Sequence, residues 1–159
     1  MTDQWNILQH ELTQLVQAAN AHVMPQQALS GIPEEAINQR VEAVPYSLWE
    51  LLEHMRLAQW DIIDFALYED HTTPSWPEGF WPPQPAGSKE EFDESMQKFL
   101  DHLDKIVSMI QSDEMDFFAP IEHAPDYTFF RQFMLLADHN AYHTGQIVTL
   151  RRLLGVWNI

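Results

Sequence analysis

The sequence predicts an all-α protein, a four-helix bundle with long connectors. Three observations lead there. Four stretches repeat apolar residues at steps of three and four, each over roughly 20 to 27 positions. Two of them open on a serine with glutamate three places on, a helix-start pattern. No stretch alternates apolar and polar residues convincingly enough to predict a strand. Amphipathic helices bury their stripes against one another, and a bundle is the economical way to do it.

The first pattern runs from about Thr2 to Ala21, with the stripe Trp5, Leu8, Leu12, Leu15, Val16, Ala19, and Met24-Pro25 ends it. Residues 25–46 read as a connector with one short helical turn, Pro33 at its first position and Glu34 and Glu35 in its first turn. The second helix opens at Ser47, capped reciprocally with Glu50, and runs to about Glu69. Its apolar positions are Leu48, Leu51, Leu52, Met55, Ala58, Ile62, Phe65 and Ala66, with His54 on the same face. Glu53, Arg56, Asp61 and Asp64 are expected to face outward. Prolines and glycine keep residues 71–87 irregular, and Trp76, Phe80 and Trp81 there read as a satellite cluster across the bundle end, or as a lid or dimer contact.

The third helix starts at Ser88, with Glu91 as its capping partner and the stripe Phe92, Met96, Phe99, Leu100, Leu103, Ile106, Val107, Ile110. His102 and Lys105 point outward on this register. Residues 112–127 form a connector. Asp126 or Thr128 caps the fourth helix, which runs from Phe129 to about Leu154 and stops at Gly155. Arg151 and Arg152 in its last turn suit the helix dipole.

Composition bounds the function. The chain has 159 residues, 45% of them hydrophobic, and is expected to form one domain, residues 1–159. It has no cysteine, which excludes disulfides, Fe–S clusters, thiolate zinc sites and a cysteine nucleophile. Residues 1–4 carry no signal-peptide pattern and no run of about 18 apolar residues exists, so the expectation is a soluble cytoplasmic protein without a membrane partner. A formal net charge of −16 repels nucleic acid and anionic lipid.

The fourth helix carries the chemistry. Its inward stripe is Phe129, Phe133, Leu136, then His139 or Asn140, then His143, Ile147, Leu150, Leu154. Two imidazoles four residues apart can share a metal ion. With 8 histidines in the chain, chance supplies about 0.4 such pairs, so the spacing alone does not decide. Position does more. His54, His139 and His143 are the histidines on inward stripes inside long helices, and they converge if the second and fourth helices are neighbours. Three neutral imidazoles favour zinc, nickel or another borderline metal and leave a position open for water or substrate. Metal affinity is then expected to fall below about pH 6.5, where free imidazole protonates. Asp138, Glu50 and Glu53 read first as exposed helix charges and otherwise as groups that orient these rings, and Gln146 is placed to hydrogen-bond to a ligand, a bound water or a neighbouring helix. Asn140 stands where a zincin protease has its glutamate base, and no P-loop, nucleotide-binding glycine motif or serine-hydrolase elbow is present.

Two segments carry a family resemblance. One is Ser47-Leu48-Trp49-Glu50-Leu51-Leu52-Glu53-His54-Met55. The other is His139-Asn140-Ala141-Tyr142-His143-Thr144-Gly145-Gln146-Ile147 with the following Leu150-Arg151-Arg152-Leu153-Leu154-Gly155. The chain resembles the DinB/YfiT-like superfamily of bacterial helical bundles. That resemblance implies a metal site at His54, His139 and His143, nickel or zinc as occupant, a non-sequential bundle topology and a homodimer. It further implies a metal-dependent enzyme that activates water or a low-molecular-weight thiol as its small-molecule substrate, in hydrolysis or S-transfer. The rival expectations are a non-catalytic metal-binding or protein-interaction bundle and a metal-free bundle with three hydrogen-bonded histidines.

Overall fold

The structure, a computed structural model, describes residues 3–17, 21–42 and 44–157. Among them lie six α-helices: α1 (Asp3–Gln17), α2 (Pro25–Leu29), α3 (Glu34–Ile37), α4 (Leu48–Leu67), α5 (Lys89–Ile110) and α6 (Phe129–Leu153), and one 3-10 turn, Glu78–Phe80, in the segment expected to be irregular. A two-stranded antiparallel hairpin joins α5 to α6, with β1 (Pro120–Ile121) paired to β2 (Ala124–Thr128). The sequence predicted no strand. Strands this short carry no readable alternation, and Pro120 and Pro125 argue for plain loop; a two-stranded ribbon tolerates them because each strand has a free edge.

The long helices start and stop as their local chemistry directs. Ser47 Oγ accepts from Glu50 N at 3.3 Å, and the Glu50 carboxylate accepts from Ser47 N at 2.7 Å. Ser88 Oγ accepts from Glu91 N at 3.2 Å, but the Glu91 carboxylate reaches Gly87 N instead of completing the box. Thr128, not Asp126, caps α6, accepting from Arg131 N. Gly155 ends α6 with φ of +72°, a conformation glycine adopts without strain. Pro33 is the cap of α3 and Glu34 its first residue, one place later than expected, while Pro25 opens the additional helix α2.

α4 packs on both α5 and α6, and α1 packs on the same two helices. The core falls into two apolar clusters. One gathers Leu29, Ile32, Leu48, Leu52, Phe92, Phe99, Ile147 and Leu150; the other gathers Leu12, Val16, Ile63, Ile106, Phe117, Phe133 and Leu136. Leu15, placed on the inward stripe of α1, is 45% exposed, and Ala19 lies outside the described residues. Between the clusters the buried side chains are polar: His54, Gln59, Asn140, His143 and Thr144.

Arg151 departs furthest from its expected role. It is 4% exposed. Its Nη1 donates to the carbonyls of Ala28 (2.6 Å) and Ser30 (2.9 Å), and its Nη2 to that of Val156 (3.0 Å). Trp157 lies 4.8 Å from the guanidinium. A charge buried this way is satisfied by carbonyl dipoles. It fastens α2 and the chain after α6 to the last turn of α6.

Candidate metal centre

His54 stands in the middle of α4, and His139 and His143 stand one turn apart on α6. Packing α4 against α6 brings together rings 85 and 89 residues apart in sequence. His54 Nε2 lies 3.1 Å from His143 Nε2 and 3.1 Å from His139 Nε2. One ligand nitrogen from each residue falls within 4.8 Å of the others. His54 is 4% exposed and His143 7%, while His139 is half-buried.

Proton placement decides what such close nitrogens can do. His54 Nδ1 faces the Phe80 carbonyl at 3.0 Å. A carbonyl only accepts, so Nδ1 carries the proton and Nε2 presents a lone pair. His143 Nδ1 donates to Gln146 Oε1 at 2.7 Å, which likewise leaves its Nε2 unprotonated. Two lone pairs at 3.1 Å repel, and a cation shared between them removes the repulsion. His139 Nδ1 is buried and makes no hydrogen bond among the described residues. The donor set therefore fits a borderline divalent metal: three imidazole nitrogens, two of them aimed by outer acceptors.

Electrostatics keeps the rings neutral. Burial, and then the neighbouring His143 and His54, press the pKa of His139 down to about 3. Burial and then His54 press that of His143 down to about 4. Burial lowers that of His54 too, against the opposing hydrogen bond to Phe80. Proton competition for ligand nitrogens thus begins well below the pH 6.5 that an unperturbed imidazole suggests.

The sequence-predicted supports divide. Of the partners open to Gln146, the structure gives it His143. Glu50 serves the α4 cap and pairs with Arg40, and Asp138 is exposed. Glu53 is not outward but 8% exposed; it accepts two bonds from Arg56 and one from the Ser95 hydroxyl. Burial raises its pKa, but the Arg56 and Ser95 hydrogen bonds outweigh that and hold it below the ordinary carboxylate range. His102 is half-buried beside Gln59 rather than outward.

Sequence reasoning missed the part played by the 71–87 loop. Its Phe80 carbonyl orients His54, and the Trp81 ring stacks on the His54 imidazole at 4.2 Å and 6°. Tyr46 stacks behind Trp81 at 6.2 Å. Several ties hold the loop down: His71 Nε2 to Asp61 (2.8 Å), Trp49 Nε1 to the Gln84 carbonyl (2.9 Å), and paired bonds between Asn38 and Ala86. The proline-broken run of tryptophans was the signal available. Which backbone carbonyl would meet a histidine was not in it. A cleft of about 360 Å³, lined by Tyr46, Tyr142, Gly145, Gln146 and Thr149 among others, adjoins His143 through Gln146. A concavity of about 570 Å³ lies on the other side of the loop, lined by Trp49, Glu53, Arg56 and Trp81 among others, and one of about 550 Å³ lies at the hairpin end, lined by Met109, Ile121, His123 and Phe129, away from the three histidines.

Fold and site together define a mostly helical protein with a buried cluster of three histidines. The model of the DinB superfamily matches residues 17–147, and the chain belongs to that family. The match takes in all three histidines and Gln146, and stops before Arg151 and Gly155. No curated protein and no solved structure matches the chain. No helix among the described residues is long and apolar enough to cross a membrane.

Proposed function

We propose that this chain is a single-domain, DinB-type four-helix bundle that holds zinc or nickel on His54, His139 and His143 and acts as a metal-dependent enzyme. The observation that carries the reading is the pair of unprotonated Nε2 atoms 3.1 Å apart, each aimed by an acceptor on its far nitrogen. When bound, the ion supplies Lewis-acid activation of water or of a low-molecular-weight thiol. The protein's own part is to keep three imidazoles neutral, to fix their tautomers through Phe80 and Gln146, and to exclude water from one side of His54 with the Trp81 ring. The cleft beside Gln146 offers tyrosine, threonine and glycine surface to a small molecule. A soluble cytoplasmic homodimer without nucleic-acid partners completes the proposal, in keeping with the net charge of −16.

Elemental analysis of untagged protein purified without chelators tests it, beside a His143→Ala variant. The expected result is about one zinc or nickel per chain, lost in the variant. Absence of metal from both, with no uptake from added zinc or nickel, overturns the reading. The burial of His54 and His143 favours one alternative, a metal that chiefly braces the helices. Loaded protein that turns over no hydrolytic or thiol-transfer substrate, yet melts far higher than apo protein, supports that alternative.

A further inference from the structure

Two buried atoms near the site have no hydrogen-bond partner among the described residues: His139 Nδ1 and Asn140 Oδ1. They belong to adjacent residues, and the chemistry of the neighbours explains why the asparagine oxygen is left over. Gln59 Nε2 donates to the Phe99 carbonyl at 2.9 Å. That carbonyl accepts only, so Gln59 must turn its Oε1 toward α6. Asn140 Nδ2 donates to this Oε1 at 3.0 Å. The asparagine amide is thereby oriented, and its Oδ1 becomes a buried acceptor without a donor. His139 Nδ1 is the neighbouring donor without an acceptor. Leaving both unmade carries the full desolvation penalty of each, and one bond between them removes both penalties; the Asn140 side chain already acts on His139 as a hydrogen-bonding neighbour, opposing the fall of its pKa.

We propose that the buried amide pair Gln59–Asn140 positions His139, with Asn140 Oδ1 accepting the His139 Nδ1 proton so that Nε2 is the ligand atom. Each imidazole then has its own outer acceptor: the Phe80 carbonyl for His54, Gln146 for His143 and Asn140 for His139. The series reaches back through Gln59 to the backbone of α5, so a helix that supplies no ligand sets the third ring. Asn140 is a positioning residue here, since it acts on His139 rather than on the ion. It also accounts for asparagine at the place after the first histidine: the position turns to the buried face, at 2% exposure, where a charged base has no room to be solvated.

The inference rests on the three-histidine reading, and its test separates the two. Long-range ¹H–¹⁵N correlation spectra of apo protein at pH 7.5 report which His139 nitrogen carries the proton, without any metal. Parent protein is expected to show the Nδ1–H form. Asn140→Leu is expected to shift His139 toward Nε2–H, and Gln59→Leu, which leaves the Asn140 oxygen in place, to retain more of the Nδ1–H form. Zinc titrated against a chromophoric chelator should bind Asn140→Leu 10- to 100-fold more weakly, in line with losses of outer hydrogen-bond partners at metal sites. Gln59→Leu should lose less and add nothing further in the double variant. An Nε2–H His139 in the parent, or a tautomer unmoved in folded Asn140→Leu, overturns the positioning role whether or not zinc binds. Parent protein that binds no zinc while the tautomer shifts as described overturns the metal reading alone.

Discussion

The two apolar clusters and the polar layer between them are built on different rules. In the clusters, Phe133, Ile106, Phe99 and Leu150 need only volume and shape, and neighbours of similar size can stand in for one another. In the layer, each side chain is tied by direction: Gln59 to the Phe99 carbonyl, Thr144 to that of Asn140, His54 to that of Phe80. Stability therefore resides mainly in regions where sequence is loosely specified. Chemistry resides where one wrong atom leaves an unpaired buried group.

That contrast can be broken by substitution. The largest effect is expected at Phe133→Ala, which empties a fully buried site in the cluster around Phe117 and should lower unfolding free energy by about 3–5 kcal/mol in urea titrations. Zinc affinity of the folded fraction should stay within about threefold of the parent, as for sites separated by packing alone. A variant that lost metal as well would show that cluster and layer are not separable. Next comes metal itself: zinc at a hundred times its dissociation constant should stabilise the parent by about 2.7 kcal/mol, and His54→Ala should abolish that gain. Arg151→Met strips charge-assisted bonds from the Ala28, Ser30 and Val156 carbonyls. A loss of about 1.5–3 kcal/mol is expected by the same titration. Ser47→Ala removes the α4 cap and should cost about 1 kcal/mol, with no change at the histidines.

The response to pH is the most diagnostic. His139 and His143 have pKa values pressed to about 3 and about 4, against about 6.5 in the unfolded chain. The unfolded chain takes up protons first, so apo stability is whole above pH 6.5 and drains away as pH falls toward 4. Metal affinity compares two folded states, so its loss in acid should set in below the pH 6.5 of a free imidazole, because burial lowers the pKa of all three rings. The fall expected from free imidazole is thereby moved to lower pH. Affinity already falling steeply at pH 6.5 would show that the rings are less buried than described.

Legibility in the sequence followed the same division. The long helices announced themselves through period and caps, Ser47 and Gly155 among them, because both signals are local. The histidine set was readable because His54, His139 and His143 interrupt apolar stripes. What failed needed three-dimensional information. Glu53 looked solvated, yet Ser95 and Arg56 wait for it inside. Arg151 looked like a dipole charge, yet α2 folds over it. The hairpin was too short to leave a pattern, and no residue type announces that the Phe80 carbonyl will meet a histidine.

The Phe80 carbonyl has one more consequence. It is main chain, so no point mutation deletes it; only a change of backbone path moves it. The acceptor for His143 is a side chain, Gln146, one base change away from several others. Drift among descendants of this sequence can therefore retune His143 cheaply while His54 stays constant, making His54 the inherited reference of the site and His143 its adjustable member.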